Sequence, residues 1–220
     1  MSVMTAVYVP EGIAMAADSR ITGTLTKQND KDKVIDRFTL SDNGQKLFLL
    51  KNRFGVSYCG ATELGGKTMA DILSEFENRE ITGNDNIDTI AQKLNKLLSE
   101  IDKKGMTRLF VCGYDQNQQK VYEVNFQQVN LWNTSKRRYG AVWNGDIAHI
   151  TNMINGSPKM EFDWNHMYLK DAIDFAEFIV DVACKAQRFA VGVATCGGPI
   201  DILLITKDGP RWIRHKILKP

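Results

Sequence analysis

The sequence predicts an α+β domain in which sheets pack face to face with helices on the outside, and three observations carry that expectation. Strand-like and helix-like stretches come in blocks: strands, two helices, strands, one or two helices, closing strands. Such blocks favour α+β layering over the strict alternation of a βαβ fold. Each long helical stretch carries one apolar stripe, and the middle of the chain is rich in strand. A striped helix buries one face and a sheet needs cover, so the helices lie over the sheets. With 220 residues the chain is long enough for one domain with a substantial core, so residues 1–220 are read as a single unit.

The opening element is a hairpin. Val3 to Val9 and Ile13 to Ala17 are short runs rich in Val, Ile, Ala and Tyr, and they meet at a Pro10-Glu11-Gly12 turn. Asp18 and Arg20 stand where the second strand runs out. A hairpin beginning at residue 2 ties an end into a sheet, where chain ends commonly fray. That end opens on Ser2, small enough for Met1 to be trimmed from it, and a hydroxyl held there is a candidate nucleophile.

Next comes a polar, charge-mixed stretch from Ile21 to Asp42, read as a long loop or irregular extended arm with little core of its own. Asp42-Asn43-Gly44 is a turn signal, followed by short strands at Lys46 to Leu50 and Phe54 to Tyr58. Met69, Ile72, Leu73 and Phe76 fall at helical spacing on a helix from about Glu63 to Arg79. Ile87, Ile90, Ala91, Leu94, Leu98 and Ile101 repeat the pattern after a Thr82-to-Asp85 turn with capping chemistry. Strands follow at Thr107 to Gly113 and Lys120 to Asn125, with weaker ones near Leu131 and at Ala141 to Trp143. Asn144-Gly145-Asp146 reads as a strand-to-helix junction before a short helix, and the Pro158-containing segment to His166 reads as loop. A third long helix spans about Leu169 to Arg188, and strands at Ile200 to Thr206 and Arg211 to Lys216 close the chain.

Composition excludes several classes. An apolar fraction of 43%, a charged fraction of 25% and a net charge of +2 are those of an ordinary globular protein without the basic face of a nucleic-acid binder. Lys136, Arg137 and Arg138 read as a solvated turn. No apolar run reaches the ~20 residues a membrane span needs, and the start lacks a signal-peptide pattern, so the expected location is cytoplasmic. Cys59, Cys112, Cys184 and Cys196 are widely spaced, which suggests neither a zinc site nor a disulfide framework. Cys59 and Cys196 read as small core residues. His149, His166 and His215 are isolated, so neither metal nor cofactor is expected.

Three stretches in order, GIAMAADSR at 12–20, NGQKLF at 43–48 and GGPIDILLITKDG at 197–209, resemble the proteasome β-type subunits of the N-terminal nucleophile hydrolases, including bacterial proteasome-like proteins. The resemblance spans nearly the whole chain and implies a four-layer α-β-β-α sandwich. It places the nucleophile ten positions before Gly12, on Ser2, the strand-end acid on Asp18 with Arg20 two residues on, the catalytic lysine on Lys46, and the oxyanion-hole glycine on Gly60. It also implies a substrate pocket walled by Thr22, Phe48 and Tyr58, with Asp146 as the nearest polar match to a family serine. The chain departs from the family in having serine followed by Val3 where threonine is usual, in an arm about a dozen residues longer, and in lacking a carboxylate between Ala190 and Cys196.

A hydroxyl needs a base within hydrogen-bond reach, and a free α-amine with an unperturbed pKa of roughly 7.7–8.0 is poised near working pH. With Met1 gone, Ser2 holds nucleophile and base on one residue. In this reading Lys46 lowers the proton affinity of that amine by like-charge repulsion, Asp18 fixes the lysine, and Gly60 donates to the oxyanion. The resemblance implies amide hydrolysis of a peptide or protein substrate in a homo-oligomeric ring whose ATPase partner, if it has one, is unknown. Two rival readings are an inactive assembly protein of the same fold and a hydrolase of small-molecule amides. Non-catalytic family members usually carry a helical extension before the first strand, and its absence here favours activity.

Overall fold

Both strands of the opening hairpin are buried at every position, a pattern that requires cover on two faces. A computed structural model describes residues 2–28 and 33–216. In chain order the elements are β1 (Val3–Val9), β2 (Gly12–Ala17), β3 (Ile21–Gln28), β4 (Lys33–Ser41), β5 (Leu47–Leu50), β6 (Phe54–Cys59), β7 (Glu63–Leu64), β8 (Lys67–Thr68), α1 (Met69–Arg79) and α2 (Ile87–Ile101). They continue with β9 (Arg108–Asp115), β10 (Gln118–Val124), β11 (Val129–Leu131), β12 (Gly140–Gly145), α3 (Ala148–Asn155), α4 (Leu169–Phe189), β13 (Asp201–Thr206) and β14 (Gly209–Arg214). The result is a mixed α/β fold.

Two five-stranded antiparallel sheets organise it, one in the order β12-β1-β2-β13-β14 and the other in the order β11-β10-β9-β6-β5. Side chains alternate along a strand, and β1 uses both of its faces. Met4, Ala6 and Tyr8 meet Leu47, Phe110, Cys112 and Val121 of the second sheet. Val3, Val7 and Val9 face the other way, into a core with Ile150, Ala176, Ile179 and Val180 of α3 and α4. A third core sets α1 and α2 against Val56, Leu109 and Val111 of the second sheet. β1 is buried along its whole length because each parity has its own core to fill, and its Thr5 donates its hydroxyl to the Val142 carbonyl at 2.8 Å.

Two segments differ from the sequence reading. Helix α1 begins at Met69 rather than near Glu63, because Glu63–Leu64 and Lys67–Thr68 pair as a small hairpin across Gly65-Gly66. Thr68 then caps the helix, its Oγ1 accepting the Asp71 N–H at 3.2 Å. The stretch after Arg20 is an ordered antiparallel ribbon, with Thr22 opposite Thr39 and Gln28 opposite Lys33. Asn29 to Asp32 at its tip, and Met1, lie outside the described residues. Among the described residues, no helix is long and apolar enough to cross a membrane.

Candidate functional site

The end of β2 delivers Asp18 into a fully buried position beside the start of β1. Its carboxylate accepts from four groups. Lys46 Nζ lies 2.9 Å from each oxygen. The Val3 N–H reaches Oδ1 at 3.0 Å, and the N–H groups of Arg20 and Gly197 reach Oδ2 at 3.1 and 3.0 Å. Both Asp18 and Lys46 are 0% exposed. A buried charge of this kind persists only when paired and hydrogen-bonded, and here both conditions are met. Lys46 stands just ahead of β5, and its carbonyl accepts the Tyr58 N–H at 3.1 Å. The start of β5 and the end of β6 are thereby joined beside this ion pair.

Ser2 is buried one residue ahead of β1. Its carbonyl accepts the Asp146 N–H at 2.9 Å, and its Oγ has no hydrogen-bond partner among the described residues. The preceding Gly145 has φ +111°, and a Cβ there would lie 1.7 Å from the Ser2 oxygen. The Ser2 carbonyl is seated where no side chain at residue 145 fits. Ser2, Asp18, Lys46 and Asp146 therefore gather at one end of the first sheet. The trimming of Met1, on which the amine-as-base mechanism depends, lies outside the described residues.

Gly60 follows β6. Its φ is +110°, and a Cβ would lie 1.9 Å from the Met106 carbonyl oxygen, so close backbone approach is reason enough for glycine here. Arg20 turns away from the ion pair. Its Nε and Nη2 hold Asp42 at 2.6 and 2.9 Å, and Nη1 approaches the Ala194 carbonyl at 3.5 Å. The guanidinium holds the Asp42 carboxyl below its ordinary value, and the pair clamps the root of the β3–β4 ribbon. Thr22 sits at that root, half-buried. Phe48 and Tyr58 pack against each other at 6.2 Å in the core under α1 and α2, and Phe48 also lines a cavity of about 350 Å³ with Gln45, Ala70 and Ser74. Strand parity explains this, since Leu47 and Cys59, each one residue away, are the positions that face between the sheets.

Several members of the site leave no mark in the sequence. The Asp146 carboxylate lies 2.8 Å from Thr195 Oγ1, and Gln187 Oε1 accepts the N–H groups of Thr195 and Cys196 at 2.6 and 3.1 Å. This braces the segment between Ala190 and Cys196, which has no carboxylate of its own. Ser19 Oγ donates to the Pro199 carbonyl at 2.7 Å and accepts from Lys216 Nζ at 2.8 Å, while Lys216 also pairs with Asp201.

The thiols do not compete as nucleophiles. Burial pushes the Cys59 thiol up to about 12 and Cys112 higher still, and the thiolate is the reactive form. Iodoacetamide at pH 8 is expected to leave both unmodified in the native protein and to label both after denaturation. Peptide mapping checks this, and rapid native labelling of Cys59 would contradict the burial described. Among the described residues, no group of three His, Cys, Asp or Glu side chains is placed to hold a metal. In comparisons with known proteins, no family model matches the chain and no curated protein matches it.

Proposed function

We propose that the chain is an N-terminal nucleophile hydrolase of the proteasome-like type, cleaving peptide or protein amide bonds with Ser2. The observation that supports this best is the buried Lys46–Asp18 pair one residue from a buried, unpartnered Ser2 hydroxyl. Buried charges are costly to keep, and placing one beside a potential nucleophile is characteristic of an active site. The order of cores, α1 and α2, second sheet, first sheet, α3 and α4, is read here as the four-layer α-β-β-α sandwich of that family.

In this reading Ser2 Oγ attacks the scissile carbonyl carbon as its proton passes to the free α-amine. The tetrahedral oxyanion takes a hydrogen bond from the Gly60 N–H, with the Lys46 ammonium offsetting the developing charge. Collapse breaks the C–N bond, and the leaving amine takes the proton from the α-ammonium. An acyl ester remains on Ser2. Water, deprotonated by the same amine, hydrolyses it and restores the hydroxyl. Asp18 holds Lys46, and Asp146 holds the Ser2 carbonyl.

Intact mass tests the premise first: protein purified without an N-terminal tag is expected to lack Met1. Ser2→Ala is then expected to lower hydrolysis of fluorogenic peptides by about three orders of magnitude or more. Stability is expected to stay within about 1 kcal/mol, because the Ser2 hydroxyl makes no hydrogen bond to lose. A mass retaining Met1 would move the assignment to a non-catalytic assembly protein of the same fold, and full activity in Ser2→Ala would place the nucleophile on another residue.

A further inference from the structure

The β3–β4 ribbon carries an apolar face left exposed by the rest of the described chain. Residues directly opposite in an antiparallel pair share a face. Gly23 opposes Phe38 and Leu25 opposes Asp36, so Leu25, Phe38 and Leu40 line one side. The contacts agree, since a Cβ on Gly23 would lie 2.7 Å from Phe38 Cζ and 3.3 Å from Leu40 Cδ1. Leu25, Phe38 and Leu40 are 48%, 44% and 60% exposed. The opposite face is mostly polar, with Thr24, Thr26, Arg37 and Thr39, and Ile35 stands opposite Thr26. A two-stranded ribbon alone is marginal in water, and one that leaves three large apolar side chains in solvent is built to be covered.

The same chain offers a counter-surface. A cavity of about 690 Å³ is lined by Trp132, Trp143, Phe162 and Trp164, together with the cations Arg137 and Lys159 and one carboxylate, Glu161. It runs along β12, the outermost strand of its sheet, which among the described residues pairs only with β1. The ladder has a definite phase. Asp18 donates to Val3 and Asp146 donates to Ser2, so odd residues of β1 bond toward β2 and even ones toward β12. Met4, Ala6 and Tyr8 thus bond to Asn144, Val142 and Gly140, and Ala141 and Trp143 turn their backbone groups to the open edge. The groove lies toward the Tyr8 end of β1, whereas the ribbon leaves from the Val3 end.

We propose that the β3–β4 ribbon of one copy docks in the aromatic groove of a second copy, against the open edge of β12. Its apolar face supplies Leu25, Phe38 and Leu40 to the tryptophan walls, and Asp36 on that face meets Arg137 and Lys159. Donor and acceptor patches differ, so the contact is heterologous and allows each copy to give one ribbon and receive another. Unprotected edges invite such pairing.

Sedimentation velocity of the full chain over a micromolar concentration series tests this. The wild type is expected at a multiple of 24.8 kDa. Leu25→Ser/Leu40→Ser is expected to weaken self-association about 100-fold, at about tenfold for each apolar side chain. Arg137→Glu/Lys159→Glu is expected to weaken it similarly from the acceptor side. Mixing the two variants restores one intact ribbon and one intact groove, and is expected to yield a species of two chains and nothing larger. Amide exchange at Ala141 and Trp143 in the wild type, slowing with concentration, reads the same contact without a variant. A monomeric wild type, a ribbon variant that keeps the wild-type mass, or a mixture that stays monomeric would each overturn the proposal.

Discussion

Lys46→Met is expected to cost about 3–5 kcal/mol of folding stability, because it strands the Asp18 carboxylate in a site without water or countercharge. Three backbone N–H groups, those of Val3, Arg20 and Gly197, still point at that carboxylate, and they set the loss toward the lower end of the range. Asp18→Asn leaves the Lys46 ammonium buried without its anion and is expected to cost a comparable amount. Urea unfolding of both single variants and the double variant checks this. The double variant should be less damaged than the sum of the singles, with a coupling of about 0.5–3 kcal/mol. A loss under about 1 kcal/mol for Lys46→Met would mean that the pair is wetter than 0% exposure implies. Hydrolysis is expected to vanish in both singles even where the fold is rescued by salt or temperature.

Gly145→Ala is the second large effect. Positive φ alone costs a non-glycine residue about 1–3 kcal/mol, and the added Cβ would sit 1.7 Å from the Ser2 oxygen and 2.7 Å from its carbonyl carbon. No rotamer relieves a clash between two backbones. Either β12 or Ser2 must move, and the Asp146 N–H bond to the Ser2 carbonyl breaks. A destabilisation above about 2 kcal/mol is expected by thermal or urea unfolding, with hydrolysis lost well below the melting temperature. Near-wild-type values of both would show that the β12 junction does not seat Ser2.

Much of this was legible in the chain because its signals were local. The opening hairpin has two β-rich runs and a Pro-Glu-Gly turn, and Asp18 and Lys46 each stand at the rim of a short strand. What escaped was carried by parity or distance. A one-residue change of parity sends Phe48 and Tyr58 toward the helices instead of the space between the sheets. The ribbon looked like loop because one of its faces is threonine and its tip is charged, and its strand pattern shows only when β3 and β4 are set side by side. The Gly197 N–H to Asp18 bond spans 179 residues, and a backbone donor has no side chain by which to announce itself.

That last bond has a kinetic meaning. β2 lies between β1 and β13 in its sheet, so the strand that carries Asp18 stays open along one edge until Asp201–Thr206 arrive. Contacts of such high sequence separation form slowly, since loop closure precedes the reward. Ser2 precedes the residues near 200 in the chain by almost its whole length, yet the scaffold around it closes only when those residues dock. A nascent or truncated chain would carry Ser2 without the carboxylate and lysine set in place. If Ser2 is the nucleophile as proposed, hydrolysis is absent from such a chain, and its onset reports that folding has run to completion.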